Sequence, residues 1–255
     1  MAIWDPDQYR KFADHRLRPA LDLIARIPLA KAETIWDLGC GAGNVTKLLA
    51  ERFPGARVVG VDNSPEMLAK ARAIPGIAWL EGDVAKWSAP QPADLIFTNA
   101  VLHWIPDHAR LAPHLLRQLR PGGVLAIQVP RNFAAASHIE LYATARARRW
   151  RDRLASLTSL LGVATPPAYW RWLEPLSAAL DIWEIEYLHV LSGENAVVEW
   201  TKGTAVKPFL DALSPAERAD FLADYGARIA KAYPREPDGR TLFPFRRLFI
   251  VATRK

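Results

Sequence analysis

Short apolar runs alternate with stretches of helical spacing over the first half of the chain. The runs that predict strands are Thr34–Leu38, Arg57–Asp62, Ile77–Leu80, Asp94–Thr98 and Val124–Val129. The segments between them repeat apolar residues every three or four positions, which is typical of amphipathic helices. Strands that alternate with helices form βαβ units, in which the strands are parallel. The first half therefore predicts a parallel sheet with helices on both faces.

Local signals predict where several helices begin and end. Asn44 follows a glycine-rich loop and is expected to cap a helix. Ser64-Pro65 combines the capping residue and the first-turn proline of a helix start. Pro113 is expected to interrupt the helix after the fourth strand, and Pro121-Gly122-Gly123 to form a turn. Proline, glycine and capping residues therefore set most of the predicted boundaries.

The pattern changes after Pro130. Residues 131–160 have helical spacing and are rich in arginine, and Ser214 with Glu217 forms the capping box of a further helix. Two more apolar segments, Asp181–Val190 and Arg247–Thr253, predict strands. They complete a sheet of about seven strands, which is the size expected when every apolar run joins one sheet.

These elements predict one domain over residues 1–255, with a Rossmann-like α/β fold and a mostly parallel seven-stranded sheet. Two helical insertions, 131–178 and 194–240, are expected to cap the carboxyl ends of the strands and to form the substrate pocket. Open α/β sheets bind ligands at that edge. Residues 1–30 predict an N-terminal helical flap over the ligand, because aromatic side chains lie there in a polar stretch.

Composition and charge narrow the setting. The chain has 255 residues, a single cysteine and no apolar run of about 18 residues, so we expect neither an intrachain disulfide nor a membrane span. A reducing, cytoplasmic location is the default for such a chain. The formal net charge is +6, carried more by arginine than by lysine. Arginine suits two-point binding of carboxylates or phosphates, so an anionic small molecule is an expected substrate.

The candidate chemistry begins with a glycine loop after the first strand. Gly39, Gly41 and Gly43 alternate with other residues, and Asp37 precedes them by two positions. The spacing differs from the G-x-G-x-x-G of dinucleotide-binding proteins, in which a helix N-terminus receives a pyrophosphate. A carboxylate at Asp37 would repel a pyrophosphate and suits a cationic ligand instead.

Two further acids and an asparagine follow the next three strands. Asp62 ends the second strand, where a carboxylate can accept hydrogen bonds from both hydroxyls of a ribose. Asp83 after the third strand can accept from an exocyclic amine, and Val84 can pack on the adenine ring. Asn99 opens the segment after the fourth strand, which would lie near the reacting atoms. Together these residues predict a site for a positively charged amino-acid nucleoside.

The segments DLGCGAGN, VDNSPEML, EGDVAKW, LIFTNAVLHW and LRPGGVLAIQ resemble the class I methyltransferases. Segments nearer the ends, WDPDQY, HWIPDH and FRRLFIVATR, are similar to the branch of that family that methylates trans-aconitate. The resemblance implies S-adenosylmethionine as the methyl donor and a small polycarboxylate as the substrate. The residues expected to bind the donor are Gln8, Tyr9, Asp37, Gly39, Gly41, Asn44, Asp62, Asn63, Met67, Asp83, Val84, Asn99 and Leu102.

A carboxylate substrate sets requirements of its own. It is already ionised at pH 7, so no general base and no metal are expected. Its charges require cationic partners, because unpaired burial would oppose binding. The residues expected to line the substrate site are His103, Trp104, Arg131, Tyr142, Arg146 and Arg247. The run Arg146–Arg153 holds five arginines and also fits an exposed helix face.

The sequence also leaves alternative functions open. A class I methyltransferase that acts on another small acceptor is the main alternative, and a binding protein that has lost catalysis stays open. A nucleic-acid methyltransferase is disfavoured, because Asn99 is followed by Ala100-Val101 rather than by two prolines and an aromatic residue. Neither a nucleic acid nor a membrane is expected as a partner, and the oligomeric state is not predicted.

Overall fold

Seven strands form one sheet in the computed structural model, which describes residues 13–159 and 162–255. The strands are β1 Thr34–Leu38, β2 Arg57–Asp62, β3 Ala78–Glu81, β4 Ala93–Asn99, β5 Leu119–Pro130, β6 Ser177–Leu191 and β7 Thr241–Arg254. Their order across the sheet is β3-β2-β1-β4-β5-β7-β6. The pairs β1–β2, β2–β3, β1–β4 and β4–β5 are parallel, whereas β5–β7 is antiparallel. The Rossmann-like, mostly parallel sheet predicted from the sequence is confirmed.

Ten α-helices connect or extend these strands in the part of the chain that is described. They are α1 Ala13–Ala25, α2 Asn44–Arg52, α3 Pro65–Ala71, α4 His108–Arg117, α5 Ala136–Arg146, α6 Arg151–Leu154, α7 Pro166–Leu173, α8 Ala196–Lys202, α9 Lys207–Asp211 and α10 Pro215–Ala232. Short 3₁₀ helices cover Leu102–Trp104, Ala155–Ser159 and Glu174–Leu176. No helix among the described residues is long and apolar enough to cross a membrane.

The strand order places the sheet's switch point between β1 and β4. The chain moves outward from β1 through β2 to β3 and then returns to β4 on the other side of β1. The loops that leave β1 and β4 therefore diverge at the carboxyl edge and leave a crevice, which is where open α/β sheets bind ligands. The parallel register fixes the heights of the neighbouring strands, with Asp37 beside Gly60 and Phe97.

The chain divides into two compact units. The sheet unit consists of Leu17–Pro130, Val163–Ile185 and Arg247–Lys255, and the second unit includes Arg131–Gly162 and Glu186–Arg246. The predicted insertions, 131–178 and 194–240, overlap the second unit, but residues 163–178 lie in the sheet unit. Their predicted role in a substrate pocket stays a prediction.

Apolar burial holds each unit together. In the sheet unit, side chains from β1, β2, β4, β5 and β7 pack with α4 and with Tyr169 and Leu173 of α7. In the second unit, Trp150, Phe209 and Phe221 pack with the apolar side chains of α5, α8 and α10. Burying an aromatic or aliphatic side chain contributes about 1.5–3 kcal/mol, so each cluster is large enough to stabilise its own unit.

The arginine-rich segment is paired with the acids of α10. Arg149 forms an ion pair with Asp220, and Arg153 pairs with Glu217. Glu217 also accepts a hydrogen bond from the Ser214 backbone N–H at 3.1 Å, which confirms the predicted capping box. Both side chains are exposed, but only Arg153 lies on a helix, α6, whereas Arg149 lies in the turn between α5 and α6. The sequence interpretation of this run as one exposed helix face is therefore only partly right.

Three local predictions are wrong. Asn44 does not cap α2 but is its first residue, because Gly43 takes the preceding position with a φ of 82°. Pro113 lies within a continuous α4, whose buried leucines on both sides of it hold the helix against the core. Pro121–Gly123 lies within β5, where the pairing jumps from Ala93–Leu119 to Leu95–Val124. The predicted turn is therefore an irregularity in a long strand.

A buried histidine–tyrosine pair fixes the segment after β4. The Nε2 atom of His108 lies 2.7 Å from the Leu102 carbonyl oxygen, so it carries the proton and donates. The Nδ1 atom is then the acceptor for the Tyr169 hydroxyl. Both side chains are buried, so neither ring atom can exchange its partner for bulk water.

We expect Tyr169→Phe to lower the free energy of unfolding by about 1–3 kcal/mol, because the buried Nδ1 atom of His108 loses its donor. Urea unfolding at neutral pH measures the change. Tyr142→Phe is the control and should change stability by less than about 0.5 kcal/mol, since Tyr142 is half-buried and its hydroxyl forms no hydrogen bond within the described part of the chain. Equal stability of Tyr169→Phe and the unchanged chain would contradict the assignment of this hydrogen bond.

Candidate functional site

The loop after β1 is tied to the end of β2. The backbone N–H groups of Gly39 and Cys40 both donate to the Val61 carbonyl oxygen, at 2.7 and 3.0 Å. Gly39 has a φ of 78°, and a Cβ atom there would lie 2.1 Å from Cγ2 of Val101. Gly41 has a φ of 55°, but a Cβ atom at this position would meet no atom of residues 13–159 or 162–255 within 4 Å. The loop therefore needs glycine at 39 for packing, and its backbone at Gly41 is open to a ligand.

Asp62 shapes this loop from the end of β2. Its Oδ2 atom accepts a hydrogen bond from the Gly41 N–H at 2.8 Å, and its Oδ1 atom accepts from the Ser64 N–H at 2.9 Å. A carboxylate oxygen can accept two hydrogen bonds. Each oxygen of Asp62 therefore keeps one acceptor position, and together they can receive both hydroxyls of a ribose.

Asp37 is the buried acid of the site. It lies on β1 with 2% of its surface exposed, and its Oδ2 atom accepts a hydrogen bond from the Thr46 hydroxyl at 2.6 Å. Burial raises the pKa of Asp37 from 3.8 to about 7; the Thr46 hydrogen bond lowers it, and the charge of Asp62 raises it further. The carboxyl group thus titrates near neutral pH, and its charged form is costly without a cation.

Cys40 lies between the two acids in the loop and is buried. Burial, together with the charges of Asp37 and Asp62, raises the pKa of its thiol. A thiol that stays protonated is a poor nucleophile. Cys40 therefore contributes packing to the loop, and a Cβ atom added at Gly60 would lie 2.9 Å from its sulfur.

The third acid follows β3. Asp83 is exposed, and its Oδ1 atom accepts a hydrogen bond from the Ala85 N–H at 2.9 Å. Lys86 lies 4.0 Å from Oδ2, in an exposed ion pair of little energetic weight. Val84, the next residue, is buried in the core of the sheet unit. The Asp83 carboxylate retains acceptor positions for a ligand that reaches the end of β3.

The segment after β4 begins with an acceptor that no described group satisfies. The Oδ1 atom of Asn99 is buried and has no hydrogen-bond partner among residues 13–159 and 162–255. Ala100, the next residue, has a φ of 56°, which is rare for a residue with a side chain. An orphaned buried acceptor beside strained backbone is a feature of ligand sites.

His103, Trp104 and Arg247 belong to the sheet unit. The rings of His103 and Trp104 lie 4.7 Å apart on the 3₁₀ helix, with His103 buried and Trp104 exposed. Arg247 opposes Pro130 in the β5–β7 register and is buried. Its Nη1 atom donates to Oε1 of Gln128 at 3.4 Å. A neutral amide therefore holds this guanidinium on one side.

The other predicted substrate residues belong to the second unit. The Arg131 N–H donates to the Arg246 carbonyl at 2.9 Å. Arg146 donates from Nε and Nη2 to the Thr158 hydroxyl at 3.1 and 2.7 Å. Tyr142 is half-buried, and burial raises the pKa of its hydroxyl. Their contacts with a substrate stay predictions.

The remaining predicted donor-site residues differ in exposure. Asn44 and Asn63 are exposed beside the loops that follow β1 and β2, and Met67 is buried on α3. Leu102 is buried in the core of the sheet unit. Gln8 and Tyr9, with residues 1–12 of the predicted flap, lie outside the described residues, and α1 Ala13–Ala25 forms part of the remainder.

Two residues that the sequence did not point out complete the site. Thr46 and Gln128 are both fully buried and hydrogen-bonded to predicted site residues, Asp37 and Arg247. A polar residue on the apolar face of α2 or within the apolar run of β5 was the signal available for each. Burial alone does not say which partner such a residue meets.

The site is built from acceptors. Asp37, Asp62 and Asp83, together with Oδ1 of Asn99, offer oxygen atoms at successive strand ends, and the glycine loop allows close approach of the backbone. A pyrophosphate would meet repulsion from the two acids beside the loop. A ligand with an ammonium group, a ribose diol and an exocyclic amine presents donors to all three acids.

Comparisons with known proteins agree with this geometry. The methyltransferase domain profile matches residues 35–123. The fold also matches the solved structure of the YcgJ protein from Bacillus subtilis, with a TM-score of 0.61 and 13% identity over 93% of this chain and 99% of that one.

Relatives of known name match from end to end. The trans-aconitate 2-methyltransferase of an Azoarcus species is 50% identical over 255 residues, which is 100% of both chains. The enzyme of the same name from Methylobacterium nodulans is 48% identical over 100% of this chain and 99% of its own. The resemblance seen in the sequence motifs is thus confirmed. The chain belongs to the trans-aconitate 2-methyltransferase family, within the class I S-adenosylmethionine-dependent methyltransferases.

Proposed function

We propose that the chain transfers the methyl group of S-adenosylmethionine to a carboxylate of trans-aconitate, giving a monomethyl ester and S-adenosylhomocysteine. The observation that carries this proposal is the 50% identity, over the whole of both chains, with a protein named for that activity. The acceptor-rich site at the switch point of the sheet supports the donor, and the arginine content supports an anionic acceptor.

The residues of the sheet unit fit the donor. The Asp37 carboxylate, buried beside a second acid, would receive the ammonium group, and Asp62 would receive the ribose hydroxyls through its remaining acceptor positions. Asp83 would accept from the exocyclic amine of adenine while Val84 packs on the ring. When bound, the donor supplies a methyl group that is already activated by the positive sulfur.

The backbone of Gly39 and Gly41 would allow this approach, since no described residue occupies the space on the Cβ side of Gly41. Asn99 would supply its buried Oδ1 acceptor, and Leu102 would hold the segment after β4 in place through its bond to His108. Asn44, Asn63 and Met67 would line the outer parts of the same site.

The acceptor sets the remaining requirements. A carboxylate that is ionised at pH 7 can take the methyl group without first losing a proton, so this chain need not supply a general base. Its residues have to orient the acceptor and exclude water, and positioning of this kind can remove about 7–11 kcal/mol from a barrier. Arg247 would bind a carboxylate of the substrate, and His103 with Trp104 would form a wall beside the transfer point.

The direct test is incubation of the full chain with methyl-labelled S-adenosylmethionine and separate acceptors. The panel contains trans-aconitate, citrate, a phenol and tRNA. We expect the label to enter trans-aconitate as a methyl ester. Alkaline hydrolysis of that ester should release the label as methanol. Label that enters the phenol or the tRNA instead would overturn the proposed substrate, while leaving the family assignment intact.

We expect Asp62→Ala to weaken binding of S-adenosylhomocysteine about 100-fold, because two charge-assisted hydrogen bonds to the ribose are lost. Isothermal calorimetry measures the affinity. Asp181→Ala is the control, since the carboxylate of Asp181 is exposed and its partner among the described residues is Arg26, in an exposed ion pair. Unchanged affinity in Asp62→Ala would remove Asp62 from the site.

We expect Asp37→Asn to stabilise the free protein and to abolish donor binding. The raised pKa of Asp37, about 7 against 3.8, means that the folded state holds a proton that the unfolded state loses between these values. Stability of the unchanged chain therefore falls as pH rises from about 4 to 7, and the gain from asparagine should be about 2 kcal/mol larger at pH 8 than at pH 5.5. Urea unfolding at the two pH values measures it; an equal gain at both would contradict the burial of a titrating carboxyl.

We expect Arg247→Met to raise the KM for trans-aconitate about 10-fold or more and to leave the affinity for S-adenosylhomocysteine unchanged. Methionine keeps the length of the side chain and removes the charge. Steady-state kinetics with saturating donor give the KM. A KM equal to that of the unchanged chain would exclude Arg247 from the substrate site.

A further inference from the structure

Thr46 is a buried threonine with one conspicuous contact. It is the third residue of α2, none of its surface is exposed, and its hydroxyl donates to Oδ2 of Asp37 at 2.6 Å. The contact runs from the first turn of the helix back to the strand that precedes the glycine loop. Such a short bond from a hydroxyl to a carboxylate is in the range of the stronger, charge-assisted hydrogen bonds.

The groups around Asp37 come from three elements. Asp62 approaches from the end of β2 with its charge, Cys40 from the loop with a protonated thiol, and Thr46 from α2 with its hydroxyl. On the other neighbouring strand, Phe97 of β4 faces Asp37 in the register and carries no charge. Within residues 13–159 and 162–255, Thr46 is the one side chain that donates a hydrogen bond to Asp37.

The protonation state of Asp37 therefore depends on a balance between its neighbours. Burial and the charge of Asp62 both favour the neutral acid, and Thr46 opposes them by bonding to the ionised form. The Asp62 carboxylate, by contrast, accepts hydrogen bonds from two backbone groups, the Gly41 and Ser64 N–H groups. A ligand with an ammonium group needs the ionised form of Asp37.

We propose that Thr46 is a positioning residue that holds the Asp37 carboxylate ionised and oriented for the ammonium group of the methyl donor, and so sets the pH below which the donor binds weakly. This inference rests on the proposed function, since it takes the adenosyl amino acid as the ligand. At pH values where Asp37 is protonated in the free protein, ligand binding releases that proton to the buffer. The ammonium group of the ligand then pairs with the ionised carboxylate.

The pKa of Asp37, about 7, places this exchange near neutral pH. Removing the Thr46 donor should raise the pKa further, and the affinity profile should move with it. A threonine that served only to fill space would change the affinity by the same factor at every pH.

The test is calorimetry of S-adenosylhomocysteine binding to the full chain between about pH 5.5 and pH 8.5, in buffers of different ionisation enthalpy. This ligand carries the same ammonium group and undergoes no turnover. For the unchanged chain we expect affinity to fall below about pH 7, with close to one proton released per ligand at pH 6. Thr46→Val should move this midpoint upward by about one pH unit, and Thr46→Ser should restore it.

Two controls isolate the ammonium group and the site. Methylthioadenosine lacks the amino-acid part of the ligand, so its affinity should stay flat over the same pH range in every variant. Thr144→Val removes another buried threonine hydroxyl, which donates to the Glu140 carbonyl oxygen on α5, and should leave the profile of S-adenosylhomocysteine unchanged.

Each outcome decides the matter. An equal loss of affinity at all pH values in Thr46→Val, or a serine variant that behaves like the valine variant, would overturn the role of Thr46. If Thr46→Val fails to fold, absence of proton release from the unchanged chain at pH 6 would overturn it just as well. Failure of the unchanged chain to bind the ligand at any pH would instead contradict the proposed donor.

Discussion

The burial of the Asp37 carboxyl group, next to a second acid on the neighbouring strand, is the constraint around which this site is organised. Asp37 and Asp62 occupy β1 and β2, whose parallel register brings the ends of the strands to one edge. Asp62 is stabilised by two backbone N–H groups, whereas Asp37 is buried with one hydroxyl donor. A buried carboxyl group beside a second acid does not stabilise the folded state. The arrangement becomes favourable when a cation joins it, and the amino-acid nucleoside proposed as methyl donor carries such a charge.

The same groups that would bind the donor also hold the backbone in place. Asp62 fixes the glycine loop through the Gly41 N–H, and the packing of Val101 against Gly39 connects that loop to the segment after β4. That segment is held at its other end by the bond between His108 and the Leu102 carbonyl. The loops on both sides of the switch point are therefore fixed before any ligand arrives, which lowers the ordering cost of binding.

Much of this architecture could be predicted from the chain alone. Strands β1 and β2 have the bounds that their apolar runs indicate, and the acids at their ends were identified by position. The predictions at Pro113 and at Pro121–Gly123 were wrong. Packing around α4 overrides the local signal of Pro113, and the extent of β5 overrides the turn signal of Pro121–Gly123. Thr46 and Gln128 were missed for a related reason. The role of a buried polar side chain depends on its hydrogen-bond partner, and only the folded chain brings the two together. The boundaries of the two units likewise follow from tertiary contacts that periodicity does not encode.

The account is tested most directly by observing the Asp37 carboxyl itself. Carbon-13 NMR of the aspartate side chains, with Asp37 assigned by its asparagine variant, follows the protonation of this group over a pH titration. We expect a midpoint near 7 for the free protein and a lower midpoint when S-adenosylhomocysteine is bound, because a nearby ammonium group favours the ionised carboxylate. A midpoint near 4 in the free protein, or no change on adding the ligand, would contradict the claim that Asp37 is a buried acid whose ionised form is stabilised by a cationic ligand.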